Sequence, residues 1–534
     1  MMKKTGVMCI VVLLLVSVLG VAVGITGGWS IEEEVRANDR DDVVEIHTWE
    51  DLHNMRDDLA GNYILMNDLG PEDAGYDEYA SDQADGGAGW QPVGSGWGNR
   101  FTGSFDGQGY EISGLYIDRP NEDHIGLFGL IGYLGKVRDV GVVDAEIIGS
   151  EYVGPLAGVN YPGTVENSYA TGSVTGDLNV GGLVGWNHEG TIENSYATGN
   201  VSGGARIAGL VGTNLEGTVS NSYATGSVSG TSDVLGGLVG WSDGRVENSY
   251  ATGNVKGTSG ALGGLVGLNY EGGTISNSYA TGTMDGSAIN VGGLVGSNYY
   301  ATVNNSYATG NVNGTDHIGG LVGANWGPVL NSYATGEVSG NNSLGGLVGF
   351  NVEGTVSNSF WDVESSGIDI SDGGTGRTTN QMMDITTFAD ADWDITAVAD
   401  TEERDTGNTW NIVDTETYPF LSGKMPEEVV QEDDDGNGRL VWILLIVLIA
   451  SLPVLLFLKK KKSGPDTTTD IEDDESPPLG YTTREYTKKP GMKRCPRCKE
   501  DAVTVMEDNS AFCEHCTHST IDYSKWTDDQ TKEI

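Results

Sequence analysis

Cysteine is nearly absent from this chain of 534 residues: one is Cys9, and the other four lie between residues 495 and 516. The long stretch between has none, so no disulfide framework holds it, and its stability must come from burial and backbone hydrogen bonding. Bases are scarce, 29 against 76 acids, for a formal net charge of −47, which excludes a nucleic-acid binder built on a basic surface. Proline is scarce too, at 14 residues, and the 81 glycines follow no G-X-Y triplet, so a collagen is excluded. Apolar content of 38%, with 22 Tyr and 12 Trp, is nonetheless too rich for a chain disordered throughout.

Long apolar runs occur only near the two ends. Lys3 and Lys4 precede a run from Val7 to Val23, and Ala22-Val23-Gly24 offers small residues for cleavage. Residues 1–27 are therefore expected to be a secretory signal peptide, with an uncleaved anchor as the alternative. Cys9 lies inside the run without a lipobox before it. Near the other end, Leu440–Leu458 is 19 uncharged residues followed at once by Lys459–Lys462. As a helix it spans about 28 Å, enough to cross a bilayer. Any kink that Pro453 imposes is one membrane helices tolerate. Positive residues stay on the cytoplasmic side, so residues 28–439 are expected outside a single-pass cell-membrane protein and 459–534 inside.

Between these ends the chain repeats itself. Asn-Ser-Tyr-Ala-Thr-Gly begins at Asn167, Asn194, Asn221, Asn248, Asn277, Asn305 and Asn331, and Asn358-Ser359-Phe360-Trp361 is a degenerate eighth copy. Gly-Gly-Leu-Val-Gly lies between copies, as at Gly181, Gly236 and Gly263, with Ala208–Gly212 a near copy. A unit of about 27 residues falls in the solenoid range. Apolar runs are short, β-branched residues abound and nothing recurs at helical spacing, so the unit is stranded. Val165, Ile192, Val219, Val246, Ile275, Val303, Val329 and Val356 share one inward site, and the residue after each reads as solvent-facing. Val174, Val201, Val228, Val255, Met284, Val312 and Val338 form a second inward column. Three short strands per unit, turned by glycine, describe a coil of a right-handed parallel β-helix. An all-β ectodomain of nine or ten coils is expected, with the constant Asn and Tyr stacked on their own images at about 4.8 Å. Copies differ in length at stretches such as Gly203–Arg206 and Gly230–Val234, read as loops.

Gly181–Gly203, from Gly-Gly-Leu-Val-Gly-Trp-Asn through Asn-Ser-Tyr-Ala-Thr-Gly-Asn-Val-Ser-Gly, resembles the GLUG repeat of prokaryotic surface proteins, over about residues 150–360. Trp90–Gly94 with Phe101–Gly107 resembles the lead-in to such repeats, and Phe360–Asp362 through Tyr418–Leu421 the closing segment. The resemblance implies an extracellular β-solenoid of adhesin-like character. Some members of that group are fused to immunoglobulin-A-specific metalloproteases.

A solenoid needs its open ends covered. Thr48 and Asp51 suggest a capping box that starts a short helix over 49–59 on the first coil, within an N-terminal cap and first coils spanning 28–150. Repeats then fill 151–360. Residues 361–424 are expected to cap the far end, anchored by Trp393, Trp410 and Tyr418. An acidic juxtamembrane linker, 425–439, leads into the membrane segment. On the inner side, a flexible linker over 459–489 precedes a compact tail over 490–534.

Cys495-Pro496-Arg497-Cys498 and Cys513-Glu514-His515-Cys516 follow the C-x2-C…C-x2-C pattern of a zinc site. Four thiolates close a tetrahedral structural centre, here a zinc ribbon whose hairpin turns at Asp508-Asn509-Ser510. Thiol redox chemistry is the main rival, and iron could also fill such a site. Asp433-x-Asp435-x-Asn437-Gly438 begins like a calcium loop, but its twelfth position is Leu444, so it reads as a linker. The acidic cluster Glu72, Asp73, Asp77, Glu78, Asp82 and Asp85 reads as a loop, with weak calcium binding as the alternative. No His-Glu-x-x-His occurs: His188-Glu189 is followed by Gly190-Thr191-Ile192, so the metalloprotease activity is not carried here. Asn200, Asn304, Asn313 and Asn341 open glycosylation sequons.

These residues point to a membrane-anchored, adhesin-like β-solenoid that binds or spaces without catalysis, displaying weak repeated surfaces that sum through avidity. An extracellular glycan or surface protein is the expected outer partner, with a cytosolic protein as a further partner and no nucleic acid. The alternatives are an anchored polysaccharide-processing enzyme and a receptor recruiting partners through its zinc ribbon.

Overall fold

The computed structural model describes residues 43–231 and 233–423 in one unit, and the strands Val503–Val505, Ser510–Cys513 and His518–Asp522 in another. The expected signal peptide, the apolar segment 440–458 and the linkers on either side of it lie outside the described residues. No helix among the described residues is long and apolar enough to cross a membrane.

The first unit is a parallel β-solenoid. One sheet has twelve strands, from Val43–Ile46 to Val356–Ser357, and a second has nine, from Phe128–Ile131 to Val348–Asn351. The remaining coil strands close the third side. About nine coils thus carry a complete set of faces, and the twelve-strand ladder is about 50 Å long at the spacing of paired strands. Register is one residue on its own counterpart: Thr191, Ile192 and Glu193 pair with Thr218, Val219 and Ser220. Both inward columns read from the repeats are in place. Val165 through Val329 are fully buried and Val356 partly so, while Val174 through Val338 are at most 5% exposed. The position after the first column is half-buried rather than open in most coils, with Ser220 buried and Ser357 of the last coil exposed. Gly203–Arg206 is strand, not loop: it belongs to Asn200–Ala208, which pairs along Tyr169–Gly181. The next coil carries one residue more, and its strands stop at Gly230 and resume at Val234.

At the start, Thr48 caps the helix Trp49–Asn54. Its Oγ1 accepts from the Asp51 amide at 3.2 Å, and the Asp51 carboxylate accepts from the Thr48 amide at 3.0 Å. Trp49, Leu52 and Met55 are fully buried in the core shared with the coils. The far end differs from expectation. Trp361, with Val363 and Ile368 against it, joins the coil core. Trp393 and Trp410 instead build a second apolar cluster with Met382, Phe388, Ile412 and Leu421, seated on the outward rings of Tyr333 and Phe360. Residues 368–377 thus cover the last coil, with the Gly346 amide donating to the Ile370 carbonyl at 2.9 Å and Phe360 paired with Thr375. The rest of the closing segment folds back along the flank, because the tyrosine column offers it an aromatic wall.

The second unit is a three-stranded antiparallel sheet. Thr504 pairs with Phe512, and Ser510 with Asp522. The hairpin expected between the cysteine pairs is present.

Candidate binding surface

Three ladders of identical side chains explain the repeated motif. The constant Asn of Asn-Ser-Tyr-Ala-Thr-Gly holds a left-handed turn, with φ between 46° and 51° at all eight copies. Asparagine tolerates this conformation better than most residues. Its side chains touch only loosely, as where Asn277 donates to Asn248 at 3.3 Å. The serine is buried. Ser195 Oγ donates to the Glu193 carbonyl at 2.8 Å and accepts from the Ser168 amide at 3.2 Å. The tyrosines from Tyr169 to Tyr333 form six stacked pairs with ring centres 4.7–5.0 Å apart. Each such pair contributes about 1 kcal/mol beyond its burial. Burial pushes the phenols of Tyr196, Tyr307 and Tyr333 up, and for Tyr169 a bond to the Glu111 carboxylate adds to the rise.

The strongest ladder was not singled out in the repeats. It is a different asparagine, two residues after the Val-Gly of Leu-Val-Gly: Asn160, Asn187, Asn214, Asn269, Asn298 and Asn325 are fully buried in the second sheet. Asn160 donates to Asn187 at 2.8 Å, Asn187 to Asn214 at 2.7 Å, and Asn298 to Asn325 at 2.8 Å. Most of these amides also satisfy a carbonyl of their own turn, as Asn187 does with Gly190, while Asn269 donates instead to the Thr302 carbonyl of the next coil at 3.2 Å. Its signal was present in the repeats, an Asn recurring beside the glycine turn.

The ladders account for the invariant positions and leave the variable ones as surface. On the outer side of the second sheet, one column runs Trp186, Thr213, Trp241, Leu268, Ser297, Ala324 and Phe350. Phe350 is exposed, Trp186, Trp241 and Leu268 are half-buried, and Thr213, Ser297 and Ala324 are buried. Toward its N-terminal end the rings gather. Trp186 stacks on Tyr152 at 5.2 Å and on His188 at 4.8 Å, His188 on Tyr161 at 4.3 Å, and Tyr152 on His124 at 5.2 Å. Trp97, 42% exposed, stands edge-on to His124, Tyr161 and Trp186. Burial holds the His124 imidazole below its ordinary value and raises the Glu151 carboxyl, with Asp123 and Asp177 adding to the latter rise. None of these rings was singled out as functional in the sequence, because the position varies from coil to coil.

Of the metal-site cysteines, Cys513 ends a strand opposite Val503, while Cys495, Cys498 and Cys516 lie outside the described residues. Among the described residues no three metal-binding side chains are grouped to hold an ion. The acidic cluster is not all loop: Asp77 and Glu78 lie in the short helix Tyr76–Tyr79 and Asp85 in the 3-10 turn Ala84–Gly87, where it pairs with the buried Arg119. Asp73 accepts from the Gly70 amide at 2.7 Å. Of the sequon asparagines, Asn200, Asn313 and Asn341 are exposed and Asn304 is half-buried.

Residues 176–202, 233–256, 258–284 and 287–313 match the family described as the GLUG motif. Halomucin of Haloquadratum walsbyi is 41% identical over 92 residues, 17% of this chain and 1% of that protein. A protein of Evansella cellulosilytica provisionally named a Gly-rich membrane protein is 42% identical over 85 residues, 15% of this chain and 10% of that protein. The chain thus spans at most a tenth of these relatives' own length. Among solved structures, a protein of Bacteroides ovatus provisionally named an immunoglobulin A1 protease aligns with a TM-score of 0.38 at 23% identity, over 45% of this chain and 76% of that one. An IgA1 protease aligns with a TM-score of 0.37 at 19% identity, over 49% of this chain and 21% of that one. The match to the GLUG motif thus lies within the coils of residues 176–313 of this β-solenoid.

Proposed function

We propose that this chain is an adhesin-like, non-catalytic rod held at the cell surface by one membrane span. The observation that carries the reading is the division of labour within each coil. Invariant side chains are consumed by the ladders and turns, and variable ones such as Trp186, Trp241, Leu268 and Phe350 reach the outer side of the second sheet. Such a rod presents contacts at fixed spacing, so weak ones add through avidity. The apolar run 440–458 with Lys459–Lys462 supports anchoring with residues 28–439 outside, after removal of a signal peptide over 1–27. The relative named as a membrane protein agrees with this address. On the inner side, Cys495, Cys498, Cys513 and Cys516 hold a structural zinc, and the hairpin sheet is the form such a ribbon takes.

The test is an epitope inserted in the turn 286–289 of the full chain, stained on intact cells. Antibody should reach it without permeabilisation, and a tag at the C-terminus should stain only after permeabilisation. Staining of both tags, or neither, on intact cells overturns the topology. Metal analysis of the purified chain should give one zinc, lost when Cys498 and Cys513 are changed to Ser.

A further inference from the structure

We infer that the ring cluster formed by Trp97, His124, Tyr152, Tyr161, Trp186 and His188 is a binding platform for a neutral polysaccharide. The inference rests on the surface reading above and assigns it a ligand class and a place.

The rings are not there for the backbone's sake. His124, Tyr152, Asn179 and Arg206 occupy matched positions in successive coils, with φ of 61°, 58°, 54° and 55°. The turn imposes a left-handed conformation at this site, which asparagine accepts readily and bulky side chains do not. Tyr152 stands where the next coil uses Asn, so its ring serves what lies outside the turn. Likewise Trp186 stands where the next coil uses Thr213, and His188 where it uses Leu215. Coils of the same fold are built with and without these rings. They are therefore not a requirement of the solenoid, and their coincidence in neighbouring coils calls for a ligand.

Charge decides the class. The surrounding carboxylates, Asp123, Glu151, Asp177 and Glu189, outnumber the guanidinium groups Arg100 and Arg206 and, with the net charge of −47, disfavour a polyanionic chain. Local burial lowers the His124 pKa, so this imidazole offers such a chain no fixed positive charge near neutral pH. A neutral sugar meets both features: its C–H face lies on the exposed Trp97 ring and against the outward edges of the stacked rings, and its hydroxyls donate to the flanking carboxylates. Coils repeat about every 4.8 Å along the rod, close to the length of one pyranose in an extended chain, so successive rings can meet successive sugars.

The experiment uses the full chain in detergent micelles. It measures retention on insoluble cellulose, chitin and mannan and mobility in gels containing laminarin or xyloglucan, with alginate and heparin as polyanions. The variants Trp186→Thr, Tyr152→Asn and His188→Leu each install the residue that the chain already carries one coil later, which preserves the fold. At least one neutral polysaccharide should retain the wild type, Trp186→Thr should weaken retention roughly tenfold at unchanged melting temperature, and alginate and heparin should not bind. Retention by polyanions alone, by no neutral polysaccharide, or equally by all three variants overturns the inference. Surface staining separates the two readings: a chain displayed outside that binds no neutral glycan refutes only the platform, and a chain that binds but is never displayed refutes only the address.

Discussion

The buried asparagine ladder has one fault, and repairing it should stabilise the protein. At Ser242 the column lacks its amide: Asn214 donates to Ser242 Oγ at 3.1 Å, and the next acceptor, Asn269 Oδ1, is buried with no donor. Asn160 Oδ1, at the column's first asparagine, also lacks a donor because Ile131 precedes it, but every other step from Asn160 to Asn351 carries one, as Asn269 does toward Asn298 at 2.9 Å. The turn Ser242-Asp243-Gly244 has the same length as Asn325-Trp326-Gly327, in which Asn325 donates to the Gly327 carbonyl at 2.9 Å. Asparagine therefore fits a turn of this length. Ser242→Asn should supply a donor to Asn269 Oδ1 and another to the Gly244 carbonyl. An unpaired buried acceptor costs about 1–3 kcal/mol, and ordering the longer side chain returns part of that gain. A net stabilisation of about 1.4 kcal/mol follows, equal to roughly a tenfold slowing of amide exchange. Because coils interact only with their neighbours, the effect should concentrate in Val239–Asn269 rather than spread along the rod. Hydrogen exchange read by mass spectrometry resolves it. The opposite change, Asn298→Ser, recreates the fault and should speed exchange in Val295–Asn325. Exchange that is unchanged or faster in Ser242→Asn would refute the claim that the ladder, rather than the backbone alone, sets local stability.

Three further outcomes follow from the packing. A Cβ at Gly253 would lie 1.9 Å from the Gly226 carbonyl oxygen, backbone against backbone, so Gly253→Ala should cost about 3 kcal/mol in urea unfolding. Gly272→Ala, open to space but at φ 85°, should cost only about 1 kcal/mol. Tyr333 donates its buried hydroxyl to the Pro419 carbonyl at 2.6 Å, so Tyr333→Phe should lose about 1–2 kcal/mol and speed limited proteolysis within 379–421 while the coils stay intact. Burial raises the stacked phenols, and it pushes Tyr63 to about 12, with Asp58 and Asp57 adding to the rise. The fold therefore favours their protonated form. This contribution is whole below the unfolded value of about 10 and is lost as pH climbs above it. Titration at 295 nm should show these tyrosines ionising only together with loss of β-sheet circular dichroism. Ionisation near pH 10 with the sheet intact would contradict it.

How much of this was legible in the sequence depends on whether a position repeats. Val165 through Val356 and Val174 through Val338 declared themselves as inward columns because a strand pointing inward admits one kind of side chain, and comparing coils within the chain shows which. The Thr48–Asp51 capping box was equally readable, since its chemistry is local. The constant Asn167 and its copies were read as a ladder, but their invariance comes from a left-handed turn. Sequence cannot separate a residue kept for its φ from one kept for its amide. Trp393 and Trp410 were read as anchors for the rod's end. They are anchors, but for its flank, because only the folded coil shows that Tyr333 and Phe360 point outward. The platform stayed hidden for a related reason: its rings come from a loop, two turns and a sheet face, and no linear pattern joins Trp97 to Trp186.

The same division explains how such a rod could diversify. Inside, a change at one coil strands groups in two others: Asn298 touches both Asn269 and Asn325, and Gly253 lies against the backbone of the coil before it. Selection there is coupled along the ladder and permits little. Outside, Trp186, Trp241, Leu268 and Phe350 share one column with no common chemistry, so each can change without disturbing the hydrogen-bonded column beneath, whereas Thr213 of that column is buried and donates to Asn179 Oδ1 at 2.6 Å. A solenoid built this way separates the energetics of folding from those of recognition by a single strand's thickness. Variation in these outward columns should therefore track the ligand, and variation in the asparagine, serine and glycine columns should track only stability.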